Sequence, residues 1–449
     1  MKRHNTLWLP LACFLAIVSG WTSAGGLTLQ ESIEIALERN GEIRALEQKA
    51  RAAGYGLMES VGNFLPSVSL SSTYSRAEGG RKFEFPIATR ADLTTGEILY
   101  EASIETGFIE EKSHDTKVEV VQPIFQGGAL WGQLGMARAQ RRAVKHERQD
   151  KRSEIALRVQ ETYYGILEAE KMVQAMEEAV DLSREHVRIA RALYDAGLVE
   201  RAETLRADVL LNSTLQDRLR AENALKMLHR SFNNLLARDL DEAVVVQEPG
   251  EFQAPDLSLE DCLRRATGHN PGLMSFQEQV RAVGKSIHLS RSGFMPKVNL
   301  IFDYGWHEDA YRFDTDSDFW MVMGVASWDI FTSGRHLAEY QQSKASHRQM
   351  QYELEAYRDA LVLQVNGAYL EMEEARQGLE LAGEALASAE ENYRVTTASY
   401  REGMSSQVDE IDAQVTLTEA RVNNARTRYQ MYVAQAKLDH LMGGIFEPD

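Results

Sequence analysis

Few residues in this chain are placed to do chemistry, and the most suggestive of them are carboxylates. Asp409 and Asp412 stand three apart in "SSQVDEIDAQV", a spacing that puts both on one face of a helix. Such a pair either gathers cations at a site or lies on an ordinary solvated face, and spacing alone leaves both readings open. The eleven histidines are scattered. They form no HExxH pair, and the chain has no nucleophile elbow and no phosphate-binding glycine loop. His186 and His229 fall within helical stretches and read as packing or surface residues. No catalytic activity, cofactor or metal site is expected.

The segments that would carry these residues begin after a leader. "MKRHNTLWLPLACFLAIVSGWTSAGG" has two cations, a short apolar run and small residues ending at Ala24. That is the layout of a signal peptide over residues 1–24. The apolar run is shorter than the ~20 residues needed to cross a bilayer as a helix, and no later stretch is long enough either. Beyond the leader only Cys262 remains, so neither an intramolecular disulfide nor a paired-thiolate metal site can form. The net charge of −18 becomes more negative without Lys2 and Arg3, which argues against nucleic acid as a partner. Such a chain is soluble in the cell envelope or enters a membrane by strands.

The chain aligns with itself. "LTLQESIEIALERNGEI" (27–43) falls on "LSLEDCLRRATGHNPGL" (257–273), and Phe64-Leu65-Pro66 on Phe294-Met295-Pro296, at an offset of 230. From "PIFQGG" (123–128) and "DIFTSG" (329–334) onward the offset is 206, so the first copy carries 24 extra residues between these landmarks. Each copy then runs into a long helical stretch. Ile155, Val159, Ile166, Val173, Val180 and Val187 recur with alternating steps of four and three that merge into sevens. Leu361, Val365, Met372, Leu379, Leu386 and Tyr393 repeat the seam 206 residues later. A period of 3.5 residues marks coiled-coil packing between neighbouring helices. Each arm is interrupted once, at "YDAG" (194–197) and at "YREG" (400–403), where glycine permits a left-handed reversal.

Four segments read as strands: 67–77, 117–125, 297–306 and 319–331. In the first, Ser67, Ser69, Ser71, Thr73 and Ser75 alternate with Val68, Leu70 and Tyr74. In the third, Val298, Leu300, Phe302, Tyr304 and Trp306 alternate with Asn299 and Asp303. A polar and an apolar face at period two describe a soluble hairpin or a barrel wall equally well. Lengths of ~9–11 residues and aromatic residues near the ends favour a membrane crossing. Four strands cannot close a barrel, so a membrane role requires several copies, and three would supply twelve strands.

In order and spacing, the leader, the duplication, the FLP/FMP and PIFQGG/DIFTSG junctions and the two YxxG breaks resemble the TolC-type outer-membrane efflux proteins of Gram-negative bacteria. The resemblance spans essentially the whole mature chain. It implies a mainly α fold with membrane β: long helical hairpins forming a periplasmic α-barrel, below a twelve-stranded β-barrel shared by three chains. It also implies an outer-membrane exit duct that works with a periplasmic adaptor (membrane fusion) protein and an inner-membrane pump, proton-driven or ATP-driven, in efflux or type I secretion. Outer-membrane lipid would surround the strands. A pore-free periplasmic coiled-coil scaffold or adhesin is the competing reading.

The implied organisation is a first repeat at 25–238, a linker at 239–256, a second repeat at 257–442 and a tail at 443–449. By the same resemblance Gly197, Leu198, Val199, Gly403, Met404 and Ser405 form the adaptor-contact tips. Asp409 and Asp412 match the acidic ring at the constriction, where mutual repulsion would raise some of their pKa values. Tyr400 and Glu203 match a hydrogen-bonded gate link. Ser405 stands where the family has an arginine, so a second, salt-linked lock is not expected.

Overall fold

The computed structural model describes residues 26–76, 82–91, 98–107, 112–250, 257–308 and 317–444. The leader at 1–24, the end of the linker and the last five residues of the tail lie outside the described residues. In chain order the elements are α1 (Leu29–Arg39), α2 (Gly41–Gly62), β1 (Ser67–Arg76), β2 (Lys82–Ala91), β3 (Ile98–Gly107), β4 (Lys112–Gln126), α3 (Ala129–Asp195) and α4 (Arg201–Leu235). The second half adds α5 (Leu259–His269), α6 (Pro271–Arg291), β5 (Lys297–Glu308), β6 (Asp318–Ser327), α7 (Arg335–Arg401) and α8 (Gln407–Leu441).

The duplication seen in the sequence carries through to the helix bounds. α3 and α7 are each 67 residues long and α4 and α8 each 35, displaced by the same 206 residues. A seam repeating every 3.5 residues drives such lengths, and neither long helix contains a proline to break it before its glycine turn. Where α1 meets α2 and α5 meets α6, Asn40 and Asn270 interrupt the helix with extended backbone. Their side chains donate to the last carbonyls of α4 and α8, at Leu235 (3.4 Å) and Leu441 (3.2 Å).

Contacts divide the chain into two units that cut across the repeats. One comprises Glu42–Ser153, Leu257–Gly367 and the stretch from Asp439 on; the other comprises residues up to Gly41, Glu154–Asp256 and Ala368–Leu438. The first unit holds the strands. Four of them form an antiparallel sheet in the order β1-β4-β5-β6, and β2 and β3 pair separately. Register places Ser69 opposite Glu119 and Ser71 opposite Lys117, with Asp303 opposite Glu119 on the other side, so one face is polar across three strands. Lys117 Nζ lies 2.8 Å from Glu119 and 3.2 Å from Asp303, and His307 pairs with Asp115. The opposite face presents Val68, Leu70, Tyr304 and Trp320 to the exterior, between 36 and 73% exposed. Among the described residues, β1 and β6 each leave one edge unpaired.

The strand limits differ from expectation most at two places, while the stretch read as 297–306 runs on to Glu308. The stretch read as 319–331 ends at Ser327, because its β5 partner begins at Lys297, opposite Ser327. Beyond it Trp328 Nε1 donates to Phe294 O at 3.1 Å and draws the chain out of the ladder. The stretch read as 117–125 is longer, Lys112–Gln126, since it is paired on both edges. The 24 extra residues of the first copy correspond closely to an additional antiparallel hairpin, β2–β3, which the sequence reading had not assigned.

The second unit holds the linker. Leu27 forms a parallel bridge with Val246, and the buried Tyr163 on α3 joins both segments. Its hydroxyl lies 3.0 Å from Leu27 O and 2.8 Å from Gln247 O, and accepts from Gln247 N. Burial pushes the phenol pKa up, so the hydroxyl stays a donor. Tyr163→Phe should orphan these groups at a cost of about 1–3 kcal/mol. Faster proteolysis within 239–250, with α3 intact, is the expected readout.

Candidate functional site at the paired helix turns

The two turns have the same backbone. After α3, Leu198 N donates to Leu193 O and Gly197 N to Tyr194 O; after α7, Met404 N donates to Ser399 O and Gly403 N to Tyr400 O. These are Schellman closures, and they need a left-handed residue just past the helix. Gly197 and Gly403 supply it, both at φ 74°. The residue after each glycine is apolar and bare, Leu198 at 71% and Met404 at 70% exposure. Val199 and Ser405 are half-buried. Ser405 Oγ donates to Thr396 O at 3.3 Å, which folds its side chain back on α7.

The helices that follow start differently. Ser406 precedes α8, and its amide and hydroxyl donate to Asp409 Oδ2 at 3.1 and 2.7 Å while Asp409 N donates back to Ser406 Oγ at 3.2 Å. This reciprocal pair satisfies two amides at the helix start. In the first copy Glu200 occupies the matching position and its side chain caps nothing. Within the single chain the hydrogen bonds from the Ser406 hydroxyl and amide hold the Asp409 carboxyl below its usual range. Asp412 is exposed one turn on, on the same face.

Beneath the turns lies a buried polar cluster that joins α3, α4, α7 and α8. His186 on α3 and Glu410 on α8 have side chains 0% and 2% exposed, with Nδ1 and Oε2 2.6 Å apart. Gln407, also on α8, places its amide nitrogen 2.8 Å from Glu203 O on α4 and 3.1 Å from His186 Nε2. A backbone carbonyl can only accept, so it fixes the Gln407 amide with its NH2 toward α4 and toward His186. Nε2 of His186 must therefore accept, which leaves the neutral ring's proton on Nδ1, facing Glu410. Four residues further along α8, Gln414 donates to Ala179 O (3.2 Å) and Ser183 Oγ (2.7 Å) on α3. Val187, Ala190 and Ala207, with Leu211, pack α3 against α4 alongside.

Tyr400 and Glu203 come to the same place but do not hydrogen-bond. The Tyr400 ring is 3% exposed and stacks on His186, with centroids 5.6 Å apart at 29°. Among the described residues its hydroxyl has no hydrogen-bond partner, and neither has Glu203 Oε2. Burial, then the nearby charges of Glu203 and Glu410, push the Tyr400 pKa up to about 12. His186, Gln407 and Glu410 were not singled out as site residues from sequence. A histidine outside the heptad seam, within one helical turn of the seam residues Ser183 and Val187, was the signal available.

The helix pairs, turns and open-edged sheet match a known family. A family model described as outer membrane efflux protein matches residues 32–237 and 262–444, one stretch for each copy. The chain belongs to the outer membrane efflux protein family. It is accordingly a channel of the outer membrane, an exit duct rather than an enzyme. It is 23% identical to the alkaline protease secretion protein AprF of Pseudomonas aeruginosa over 100% of this chain and 90% of that protein. With the outer membrane protein TolC of Vibrio cholerae it shares 22% over 73% of this chain and 76% of the other. The CmeC outer membrane channel of Campylobacter jejuni has the same fold, with a TM-score of 0.80 at 18% identity, over 93% of this chain and 86% of that one.

Two outcomes follow for the cluster. Glu410→Ala, which leaves the buried Nδ1–H of a neutral imidazole facing nothing polar, should destabilise the protein by about 1–3 kcal/mol, whereas Tyr400→Phe should change stability by less than about 1 kcal/mol because its hydroxyl bonds nothing. Unfolding midpoints of the two variants distinguish these. For the cap, the Asp409 pKa is depressed in the folded state. Its contribution is therefore complete above the ordinary aspartate value of about 3.9 and lost as the pH falls through the lower folded value. Hydrogen exchange at the Ser406 amide should be slower than in Asp409→Ala near neutrality, and this difference should vanish in strong acid.

Proposed function

We propose that three copies form one duct, with the turns of α3–α4 and α7–α8 at its periplasmic entrance and Asp409 and Asp412 of each copy around the opening. The unpaired edges of β1 and β6 support this most directly. In lipid an open edge leaves backbone groups without partners, and pairing β6 of one copy with β1 of the next removes every edge. Leu198 and Met404 are the adaptor contacts in this reading, and an inner-membrane pump drives transport through the adaptor. The full-length match to a protein named for alkaline protease secretion favours a polypeptide cargo.

Gate opening would follow the seam between copies. Within one copy α3 and α8 are latched by His186 and Glu410. The corresponding positions on α7 and α4, which would meet across copies, are Asn392 and Thr204, with Arg201 in place of Gln407. Neither Asn392 nor Thr204 reproduces the imidazole–carboxylate contact, so the seam between copies is the weaker one.

Purified protein in planar bilayers tests the reading. Small, cation-preferring currents are expected, and Asp409→Asn with Asp412→Asn should cut the preference for K+ over Cl− several-fold. Absence of any conductance from a heat-modifiable trimer would rule the duct out. An unchanged reversal potential in the double variant would remove the two aspartates from the gate.

A further inference from the structure

The strand-bearing unit contains a charged feature that the duct does not use. Toward the turns, arginines of α3 are paired: Arg184 with Asp181, Arg188 with Glu185, and Arg191 with Asp208, at 2.6–3.0 Å. Near the strand junction the pattern reverses. A cleft of about 560 Å³ between the start of α3 and the end of α6 is lined by Trp131, Arg138, Lys285, His288, Arg291 and Met295. Among the described residues, Arg138, Lys285, His288 and Arg291 are exposed and have no ion-pair or hydrogen-bond partner. Only Arg142, at the cleft's far end, is matched, by Glu278 at 2.8 Å.

In a chain with a net charge of −18, unpartnered cations gathered in one concavity need a reason. The fold does not impose them. In the first copy the positions of Lys285, His288 and Arg291 are Tyr55, Met58 and Val61, and in the second copy that of Trp131 is Leu337. The helices approach closely here because Gly132 and Gly135 face α6. A Cβ on Gly132 would lie 3.2 Å from Leu289 N, and one on Gly135 3.2 Å from the Lys285 side chain. The cleft is thus a built gap flanked by tight packing.

Its depth suggests the ligand. Arg291 is the last residue of α6, six residues beyond Lys285, and Arg138 is nine residues into α3. At ~1.5 Å per residue the cations span about 0–14 Å from the ends of the strands. That is where the polar layer of the bilayer, roughly 5–8 Å thick, meets the protein. Long basic side chains can reach back to it. Trp131, 69% exposed, has the amphipathic ring that settles at this level. Guanidinium groups bind phosphate in paired geometry, and Met295 and Trp131 offer apolar surface beside them.

We propose that this cleft binds the headgroup of an anionic phospholipid in the inner leaflet of the outer membrane, one per chain. The site would anchor the junction between strands and helices at a defined depth. Native mass spectrometry of the detergent-extracted trimer with phosphatidylglycerol or phosphatidylcholine tests this. Up to three retained phosphatidylglycerol molecules per trimer are expected, with phosphatidylcholine lost. The triple variant Arg138→Gln, Lys285→Gln, Arg291→Gln should bind phosphatidylglycerol at least tenfold more weakly while remaining a heat-modifiable trimer. Removing the same charge at Arg184, Arg188 and Arg394, the last paired with Glu391 on α7, should leave lipid retention unchanged. Equal retention of both lipids, undiminished retention in the cleft variant, or an equal loss in the control variant would overturn the proposal. So would competition by millimolar inorganic phosphate, which would mark an anion site without a lipid. If the cleft variant instead fails to assemble in every lipid, the cations meet carboxylates of a neighbouring copy and the lipid site is refuted.

Discussion

The carbonyl of Glu203 constrains the buried site from one side. It accepts from Gln407, and by doing so it orients an amide that would otherwise be free to turn over. That orientation makes His186 Nε2 an acceptor and sends the ring proton toward Glu410. The Glu410 carboxylate, with 2% of its side chain exposed, lies 2.6 Å from Nδ1, a close polar contact without the geometry of a hydrogen bond. Tyr400 then covers the imidazole, and its own hydroxyl goes unsatisfied. The cluster accepts one unmet hydroxyl in exchange for a stacked, water-excluded ring. Because its polar members come from α3, α4 and α8, none of these helices can rotate about its axis without breaking a polar contact in a dry place, and α7 would lose the stack of Tyr400 on His186.

Duplication explains why such a cluster could arise only once. Two copies with matching helix bounds offer two equivalent settings for every contact, and the glycine turns use both. The polar cluster does not. Tyr194, the counterpart of Tyr400, is 43% exposed, and the counterpart of Gln414 is Asp208, which pairs with Arg191 at the surface. The starts of α4 and α8 diverge in the same way. Ser406 and Asp409 satisfy each other, whereas Glu200 and Glu203 cannot, because a longer side chain at the cap position makes no bond to the amides that follow it. Two nearly identical backbones therefore present different charge: Asp409 is held in a cap, and Glu203 keeps a buried oxygen without a partner.

Much of this fold could be read from the sequence because its determinants are periodic. A 3.5-residue seam over 67 residues has one structural solution, and offsets of 230 and 206 locate the helix ends and junctions. The strands of the four-stranded sheet were legible from their alternation, although their ends were not, since an end depends on where the partner strand stops. The hairpin of β2 and β3 was visible only as a length difference. At the turns the glycines and the acidic pair were legible, but the Tyr400–Glu203 bond was not formed. That bond depends on side-chain direction, and stacking on His186 competes for the same tyrosine. His186 itself read as packing, which it is; its role in fixing Gln407 and Glu410 depends on neighbours 221 and 224 residues away.

Polar contacts and apolar packing divide the work within the helical unit. The heptad seam holds α3 along its length with small and branched side chains, and coiled-coil packing of that kind tolerates axial slip of one heptad because the next knob meets an equivalent hole. A buried polar group in such a seam selects one register, at some cost in stability. Gln414 bonds Ala179 O and Ser183 Oγ, Gln407 bonds Glu203 O, and His186 meets Glu410. A slip of seven residues would present Leu193 to Glu410 instead of His186 and leave a charged carboxylate against an aliphatic side chain. The cluster thus sets where α8 stops along α3. Since the turn after α7 leads directly into α8, the height of Met404 and Asp409 relative to Leu198 follows from that same register.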